Sequence, residues 1–381
     1  MNFNQNRKIM LIIPSLRGGG AERVAENLLN NLDKTQDIIL CLFGKNNSQK
    51  LPMNIKVRCL PLKSSKNVLY AVANFFLLIF HLSKIIREEM PCSILSFMDY
   101  PNIIAIISNY LAGRKARVNI SIHTIPELHF KKYSNSKWNV SISILMKLLY
   151  NRADKIIAVS NFIRKDLILN YNIKKAKVVV IYNPIDTSKI DMLAEEEVSH
   201  PWFKENVPVV LSVGRLSKEK GFNHLLKAFA IVRGKMNVRL LLVGEGGEEE
   251  YLKSLSNKLG VNENVCFAGF QENPYKYMRK STIYVLSSLY EGFPNVLVEA
   301  MACGVPIVST LYNLNTNEII EHEKNGLLVP VADEKALAEA MLRLLNNPEE
   351  RKQYALCAKE KVKEFSIEKI TEQYRMVLLD I

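Results

Sequence analysis

The sequence predicts an α/β protein of two domains, each a parallel sheet wound by helices. Three observations carry this. Short runs of Val, Ile and Leu alternate with longer stretches that repeat apolar residues every three to four positions, the pattern of β-α-β units. At 381 residues the chain is long enough for two or three domains of roughly 150 residues each. The charge divides near Asp186, with 27 Lys and Arg against 11 Asp and Glu before it, a net of +16, and 24 against 27 after it, a net of −3.

The first strand is expected at Lys8–Pro14, followed by the glycine loop Gly18-Gly19-Gly20 and a helix at Ala21–Leu32. In that helix Val24, Leu28, Leu29 and Leu32 share one face. Further strands are expected at Asp37–Phe43, Ile55–Leu60, Cys92–Phe97, Val118–Ile122, Lys155–Val159 and Val178–Tyr182. Val68–Leu82 is the most apolar stretch. Its 15 residues fall short of the roughly 20 a membrane span needs, so it reads as a buried or interfacial helix. Asn183-Pro184-Ile185-Asp186 reads as a turn, and the acidic stretch Asp191–Glu205 as a loosely patterned linker.

A second series follows, with strands at Val209–Val213, Arg239–Val243, Val265–Phe267, Ile283–Leu286, Pro306–Ser309 and Gly326–Val329. Helices are expected at Asn223–Arg233, Glu249–Leu259, Pro294–Cys303, Glu334–Leu345 and Ser366–Leu379. Two such Rossmann-like domains place a ligand at the carboxyl ends of their strands.

An apolar share of 48% with 23% charged residues excludes a disordered tail, a collagen repeat and a disulfide miniprotein. Six cysteines, at 41, 59, 92, 266, 303 and 357, have no metal-site or thioredoxin spacing. They read as reduced, mostly buried thiols of a cytoplasmic protein. The polar start Met1–Lys8 has no apolar signal core. The basic first half fits an anionic partner: nucleic acid, a membrane surface or a phosphorylated substrate. A solvated surface is the alternative.

The glycine loop does not read as a dinucleotide fingerprint. Arg23 stands where the third glycine belongs, and the second strand ends at Phe43-Gly44 without the acid that would hold a ribose. There is no P-loop, no Asp-x-Asp pair, and no i, i+4 pairing among His81, His123, His129, His200, His224 and His322. A metal site is therefore not expected, and no cofactor either.

The strongest local signal is Tyr290–Val305. Pro294 suits the first turn of a helix and Gly304 its end. The amides of Asn295, Val296 and Leu297 would then be free to meet an anion. Glu291 just before the helix is explained as a dipole partner. Glu299 is not, because it stands among core-facing residues; a carboxylate there suits the two hydroxyls of a ribose. A second signal is Val213–Phe222, where Arg215 and Lys220 follow a strand and Gly221 opens the next helix. Two such cations neutralise a diphosphate, or else lie on a solvated loop. His123 closes the run Val118–Ile122 at the end of a strand, either beside a ligand crevice or as a satisfied histidine.

Taken together, GGGAERV (18–24), AVSNFIRKDL (158–167), NPID (183–186), VGRLSKEKGF (213–222), VGEGGEEEYL (243–252) and EGFPNVLVEAMACGVPIVS (291–309) resemble a family 4 retaining glycosyltransferase. The resemblance covers nearly the whole chain and is sharper in the second half. It implies the GT-B fold, two Rossmann-like domains facing each other across a cleft. Residues 1–186 would bind the acceptor, and 187–365 the nucleotide sugar. A last helix at about 366–381 would complete the first domain.

By motif position Arg215 and Lys220 would hold the donor diphosphate and Glu299 the ribose. Glu291 would meet the sugar hydroxyls, helped by the backbone of Phe293, Pro294, Asn295, Val296 and Leu297. Gly19 and Gly20 would approach from the first domain, His123 would stand near the donor sugar, and Phe270 would lie at the base. The implied reaction retains anomeric configuration without a metal, by same-face attack or through a covalent intermediate.

GGGAERV with SFMDYPNIIAII (96–107) looks most like bacterial enzymes that extend lipid-linked oligosaccharides of surface polysaccharide and lipopolysaccharide. Their donor is often a UDP-linked N-acetylhexosamine. The resemblance also implies a polyprenyl-diphosphate acceptor met at the anionic inner face of the cytoplasmic membrane. Arg114-Lys115-Arg117 and Lys131-Lys132 would supply the attraction. Alternatives are a GT-B nucleotide-sugar epimerase, which would need further carboxylates in the first half, and a non-catalytic nucleotide-sugar-binding partner. Nucleic-acid binding, which pI 9.3 invites, finds no module or interleaved aromatic and basic run.

Overall fold

The structure is a computed structural model that describes residues 8–16, 19–32, 36–44, 55–62, 68–127, 137–312 and 316–380. Met1 to Arg7, Gly18, His129 and the pair Lys131-Lys132 lie outside the described residues. The chain divides into two compact units, Met1–Pro184 with Ile367–Ile381, and Ile185–Ser366. The expected boundaries, 186/187 and 365/366, differ from these by two residues and one.

The first unit contains β1 (Ile9–Ile12), β2 (Ile38–Phe43), β3 (Ile55–Leu60), β4 (Ser93–Phe97), β5 (Arg117–Ile122), β6 (Lys155–Ala158) and β7 (Val178–Val180). They form one sheet in the order β3-β2-β1-β4-β5-β6-β7, and every pair is parallel. Helices on both faces bury the inner strands, and β1 and β2 accordingly read as unbroken apolar runs, whereas Asn119 and Ser121 interrupt β5 and are buried all the same. Ile9, Met10, Leu11 and Ile12 are all 0% exposed. The last helix, Ile367–Leu379, belongs to this unit, with Ile370, Tyr374 and Leu378 buried in the same cluster as Ile9 and Leu11.

The second unit contains β8 (Val209–Val213), β9 (Arg239–Val243), β10 (Val265–Phe267), β11 (Ile283–Leu286), β12 (Ile307–Leu311) and β13 (Leu327–Pro330). Their order is β10-β9-β8-β11-β12-β13, again all parallel. In both sheets the strand order reverses next to the first strand. Ligand crevices of open α/β sheets open at such a switch point, outside the carboxyl ends. In the second unit this lies between β8 and β11, and in the first between β1 and β4.

Four readings of the sequence are corrected. The helix expected over Val68–Leu82 runs from Val68 to Glu89, 22 residues or roughly 33 Å. Its polar tail Ser83–Glu89 continues the helix, so the length argument against a span fails. By length and composition Tyr70–Glu89 could cross a membrane, with a third of that window buried. Leu78, Leu82 and Ile86 are buried on one face, while Phe76 and Phe80 are about two-thirds exposed on another.

The stretch Asp191–Glu205 is not a simple linker. It begins inside a helix, Thr187–Ala194, whose N-terminus is capped by Asp186 accepting from the Lys189 amide at 2.9 Å. Pro348–Val362, mostly charged and not anticipated, is helical. Asn347 caps it, and Tyr354, Ala358 and Val362 are buried at every fourth position. Of the six cysteines only Cys41 and Cys303 are buried, whereas Cys59 and Cys92 are exposed.

Part of the positive charge of the first unit has a structural use. Lys8, Lys56 and Arg58 converge on the nearly buried carboxylate of Glu89, with Lys56 Nζ at 2.6 Å. The hydrogen bond from Lys56 and then those from Arg58 outweigh burial and hold Glu89 down to about 2.

Candidate active site

In the second unit the loop after β8 carries Gly214, Arg215 and the short 3₁₀ turn Lys218–Lys220, before the helix Phe222–Arg233. Gly221 joins turn and helix at φ +63°, and a Cβ there would lie 2.1 Å from the Ser287 carbonyl oxygen. Only glycine allows this approach. It brings the β8 loop against the loop after β11. Ser287 Oγ donates to the Lys220 carbonyl at 2.9 Å, and the Leu289 amide to the Glu219 carbonyl at 2.8 Å.

Those bonds place Lys220 Nζ 2.5 Å from Glu291 Oε1, and Ser288 Oγ donates to the same oxygen at 2.7 Å. Both partners of the ion pair are largely shielded, Lys220 at 19% exposure and Glu291 at 14%. Arg215 is exposed, and among the described residues its guanidinium makes no ion pair. Glu299, 5% exposed, lies in the helix Asn295–Cys303. Burial pushes the Tyr284 hydroxyl well above its ordinary value. It donates to the Val213 carbonyl at 3.3 Å, and the charges of Glu299 and Glu291 raise it further. The two carboxylates thus stand behind the end of β8, within electrostatic reach of one phenol.

The start of the Asn295–Cys303 helix differs from the sequence reading. Pro294 is the cap residue just outside the helix, at φ −85° and ψ 78°. That is an inverse γ-turn, closed by the Asn295 amide donating to the Phe293 carbonyl at 3.1 Å. The Leu297 amide donates to Pro294 at 2.9 Å. Of the three amides expected to be open, at most that of Val296 is left for an anion. Phe293 is core, stacked edge-on against Phe365 at 5.8 Å, so only its backbone can serve a ligand. Leu297 is also fully buried. Phe270, 68% exposed, follows β10; its amide donates to Glu245 Oε1 at 3.2 Å. That leaves an aromatic face open beside the loop after β9.

In the first unit Gly19 caps the helix Gly20–Asn31. Glu22 reaches back to accept from the Gly19 amide at 2.6 Å and from Ser15 Oγ at 2.5 Å. The Gly19 N–H expected to approach a phosphate is thereby already engaged by a carboxylate. His123 follows β5. Its Nε2 lies 2.9 Å from Ser121 Oγ, its ring packs on Phe97 at 5.7 Å, and its Nδ1 is sealed from solvent with no partner among the described residues. Desolvation drives it down to about 3, so at neutral pH it is an uncharged hydrogen-bonding group.

Sequence reading missed Ser287, Ser288, Glu22 and Asp99. Asp99 begins the helix after β4, at the switch point, where Met98 takes the rare value φ +74°. Desolvation pushes Asp99 from 3.8 up to about 6, against the hydrogen bonds from Tyr150 and Thr124. Because its folded value is raised, the folded protein holds the proton more tightly than the unfolded chain. Stability is therefore lost as pH rises from about 4 to 6. Asp99→Asn is expected to raise stability above pH 6 by about 2 kcal/mol and to change nothing near pH 3. Thermal unfolding at the two pH values checks this, and an equal shift at both would assign the effect to packing.

Among the described residues no group of three or more His, Cys, Asp or Glu side chains converges as a metal site would require.

Comparisons with known proteins agree with this architecture. Residues 18–189 match the family described as Glycosyltransferase Family 4, and residues 194–361 the one described as glycosyl transferases group 1. Over 375 residues the chain is 33% identical to a Campylobacter jejuni protein, N-acetylgalactosamine-N,N'-diacetylbacillosaminyl-diphospho-undecaprenol 4-alpha-N-acetylgalactosaminyltransferase. The match covers 98% of this chain and all of that one. A second C. jejuni protein, a GalNAc-alpha-(1->4)-GalNAc-alpha-(1->3)-diNAcBac-PP-undecaprenol alpha-1,4-N-acetyl-D-galactosaminyltransferase, is 28% identical, over 98% of this chain and 99% of its own. Among solved structures, HepE of Anabaena in complex with UDP shares the fold, with a TM-score of 0.78 at 23% identity. That match covers 98% of this chain and all of HepE. With both halves of the chain matched and a relative one-third identical from end to end, the protein belongs to the family 4 glycosyltransferases and has their GT-B fold.

Proposed function

We propose that this glycosyltransferase moves an N-acetylhexosamine or hexose from a UDP donor to a lipid-linked oligosaccharide, with retention of anomeric configuration and without a metal. The acceptor class is supported by the two C. jejuni relatives, whose names specify undecaprenol-diphosphate acceptors. The donor site rests on one observation: at the switch point of the second sheet, Lys220 is locked beside Glu291 and Ser288, while the exposed Arg215 makes no ion pair among the described residues.

In this reading the departing nucleoside diphosphate develops negative charge that Arg215 and Lys220 meet, with Lys220 held in a shielded position by its bond to Glu291 until the donor binds. A preorganised cation in a shielded site is worth far more than one in water. Glu291 then trades its bond with Lys220 for the hydroxyls of the donor sugar, and Ser288 keeps the carboxylate aimed. Glu299 holds the ribose and Phe270 stacks on the base. Gly20 and neutral His123 serve the first-unit side of the reaction, His123 through Nδ1. The basic first unit meets the acceptor at the anionic inner face of the cytoplasmic membrane.

The test is thermal unfolding against UDP, GDP and ADP sugars. A UDP sugar is expected to stabilise the wild type, and Glu299→Gln to lose that stabilisation while staying folded. Stabilisation by another nucleotide alone, or an unchanged shift in Glu299→Gln, would overturn the assignment.

A further inference from the structure

The first sheet has an unassigned cavity at the amino ends of its strands. It has a volume of about 620 Å³, within the range of roughly 300–1,000 Å³ typical of small-molecule sites. It opens where β4, β5 and β6 begin, whereas Gly19 and His123 follow the ends of β1 and β5. It therefore takes no part in the crevice at the switch point.

The lining has two characters. Ile106, Ile107 and Leu149 form an apolar wall, and Arg114, Lys115, Arg117 and Arg152 bring four cations. Asp154 brings a single carboxylate, one oxygen of which accepts from the Val118 amide at 2.8 Å.

The turn that presents three of these cations is held by other groups. The turn after the Asp99–Leu111 helix is closed by Asn109, which donates to the Ala116 carbonyl at 2.7 Å and accepts from its amide at 3.1 Å. The Leu111 carbonyl is taken by Arg87 from outside the cavity. Arg117 pairs with Asp380 at 2.7 Å. Among the described residues Arg114, Lys115 and Arg152 have no carboxylate partner, in contrast to Lys8, Lys56 and Arg58, which share Glu89. Three unpaired cations around an apolar wall leave room for an anion that carries a hydrocarbon part. The same edge exposes Tyr110 at 60%, Leu111 at 52% and Leu148 at 66%, side chains that a free phosphate would leave in water and a bilayer would cover.

We infer that this cavity is a binding site for the headgroup of an anionic membrane phospholipid. Its phosphate sits among Arg114, Lys115 and Arg152, and its upper chain lies along Ile106, Ile107 and Leu149. Attachment would then use a defined site on the first unit as well as diffuse charge. The inference rests on the membrane part of the function proposed above.

Cys92, exposed and in the lining, provides the readout. The full-length protein is alkylated with a maleimide, and peptide mass spectrometry follows Cys92 beside Cys59, an exposed cysteine outside the cavity. Vesicles of phosphatidylcholine with phosphatidylglycerol are expected to slow Cys92 about tenfold relative to Cys59, and phosphatidylcholine alone to do nothing. The triple variant Arg114→Glu, Lys115→Glu, Arg152→Glu should bind those vesicles at least about tenfold more weakly with an unchanged melting temperature. If vesicles sediment the protein but Cys92 stays as reactive as before, the membrane reading stands and the cavity site falls. Soluble glycerol phosphate protecting Cys92 equally would replace the lipid with a free anion. If the anionic vesicles do not bind at low salt, both readings fall.

Discussion

Arg215→Ala and Lys220→Ala are each expected to lower glycosyl transfer about 100-fold, the usual cost of removing one preorganised charge from a transition state. The two variants should differ in a second measurement. Arg215 is exposed and makes no ion pair among the described residues, so its loss should leave the melting temperature unchanged. Lys220 lies 2.5 Å from a Glu291 carboxylate that is 14% exposed, and its removal takes one cation from a shielded acid. Lys220→Ala should therefore also melt a few degrees lower, and Lys220→Met, which keeps the packing of the stem, should recover neither activity nor all of that loss. Turnover near wild type in both alanine variants would remove the diphosphate clamp from the mechanism.

Gly221→Ala is expected to destabilise the second unit by roughly 3 kcal/mol or more, a value reserved for severe backbone or packing faults. Two effects combine. At φ +63° a side chain costs about 1 kcal/mol, and its Cβ would lie 2.1 Å from the carbonyl of Ser287, which cannot move without pulling on β11. Gly247→Ala is the control, because a Cβ there meets nothing within 4 Å. Denaturant unfolding of the two variants should separate cleanly. If Gly221→Ala is as stable as Gly247→Ala, the two loops are not locked together as described.

Most of the second sheet was legible because its parallel strands, buried on both faces, read as apolar runs. Val209–Val213, Arg239–Val243 and Ile283–Leu286 fall where the apolar runs place them. Helix ends were less legible, because they depend on contacts far away in sequence. Ser83–Glu89 reads as the polar end of an apolar segment, but Glu89 is drawn into the structure by Lys8, Lys56 and Arg58, and the helix continues to reach it. In the site, residue types pointed to Arg215, Lys220, Glu291 and Glu299, since charges at strand ends and among core residues demand an explanation. The hydrogen bonds among them were not visible. That Pro294 bends into a γ-turn, or that Glu22 occupies the Gly19 amide, is decided by backbone angles that many sequences share. Ser287 and Ser288 look like any polar pair after a strand until Gly221 brings Lys220 against them.

The last helix has a consequence for how this chain is made. Ile370, Tyr374 and Leu378 fill the core around Ile9 and Leu11, more than 350 residues away in sequence. A ribosome therefore releases all of Ile185–Ser366 before it supplies the piece that closes the first sheet. The later unit, contiguous in sequence, can finish folding while the earlier one still exposes an oily seam. During that interval the nascent protein is open to chaperone capture or aggregation, and a stop codon ahead of Ile370 would make the exposure permanent.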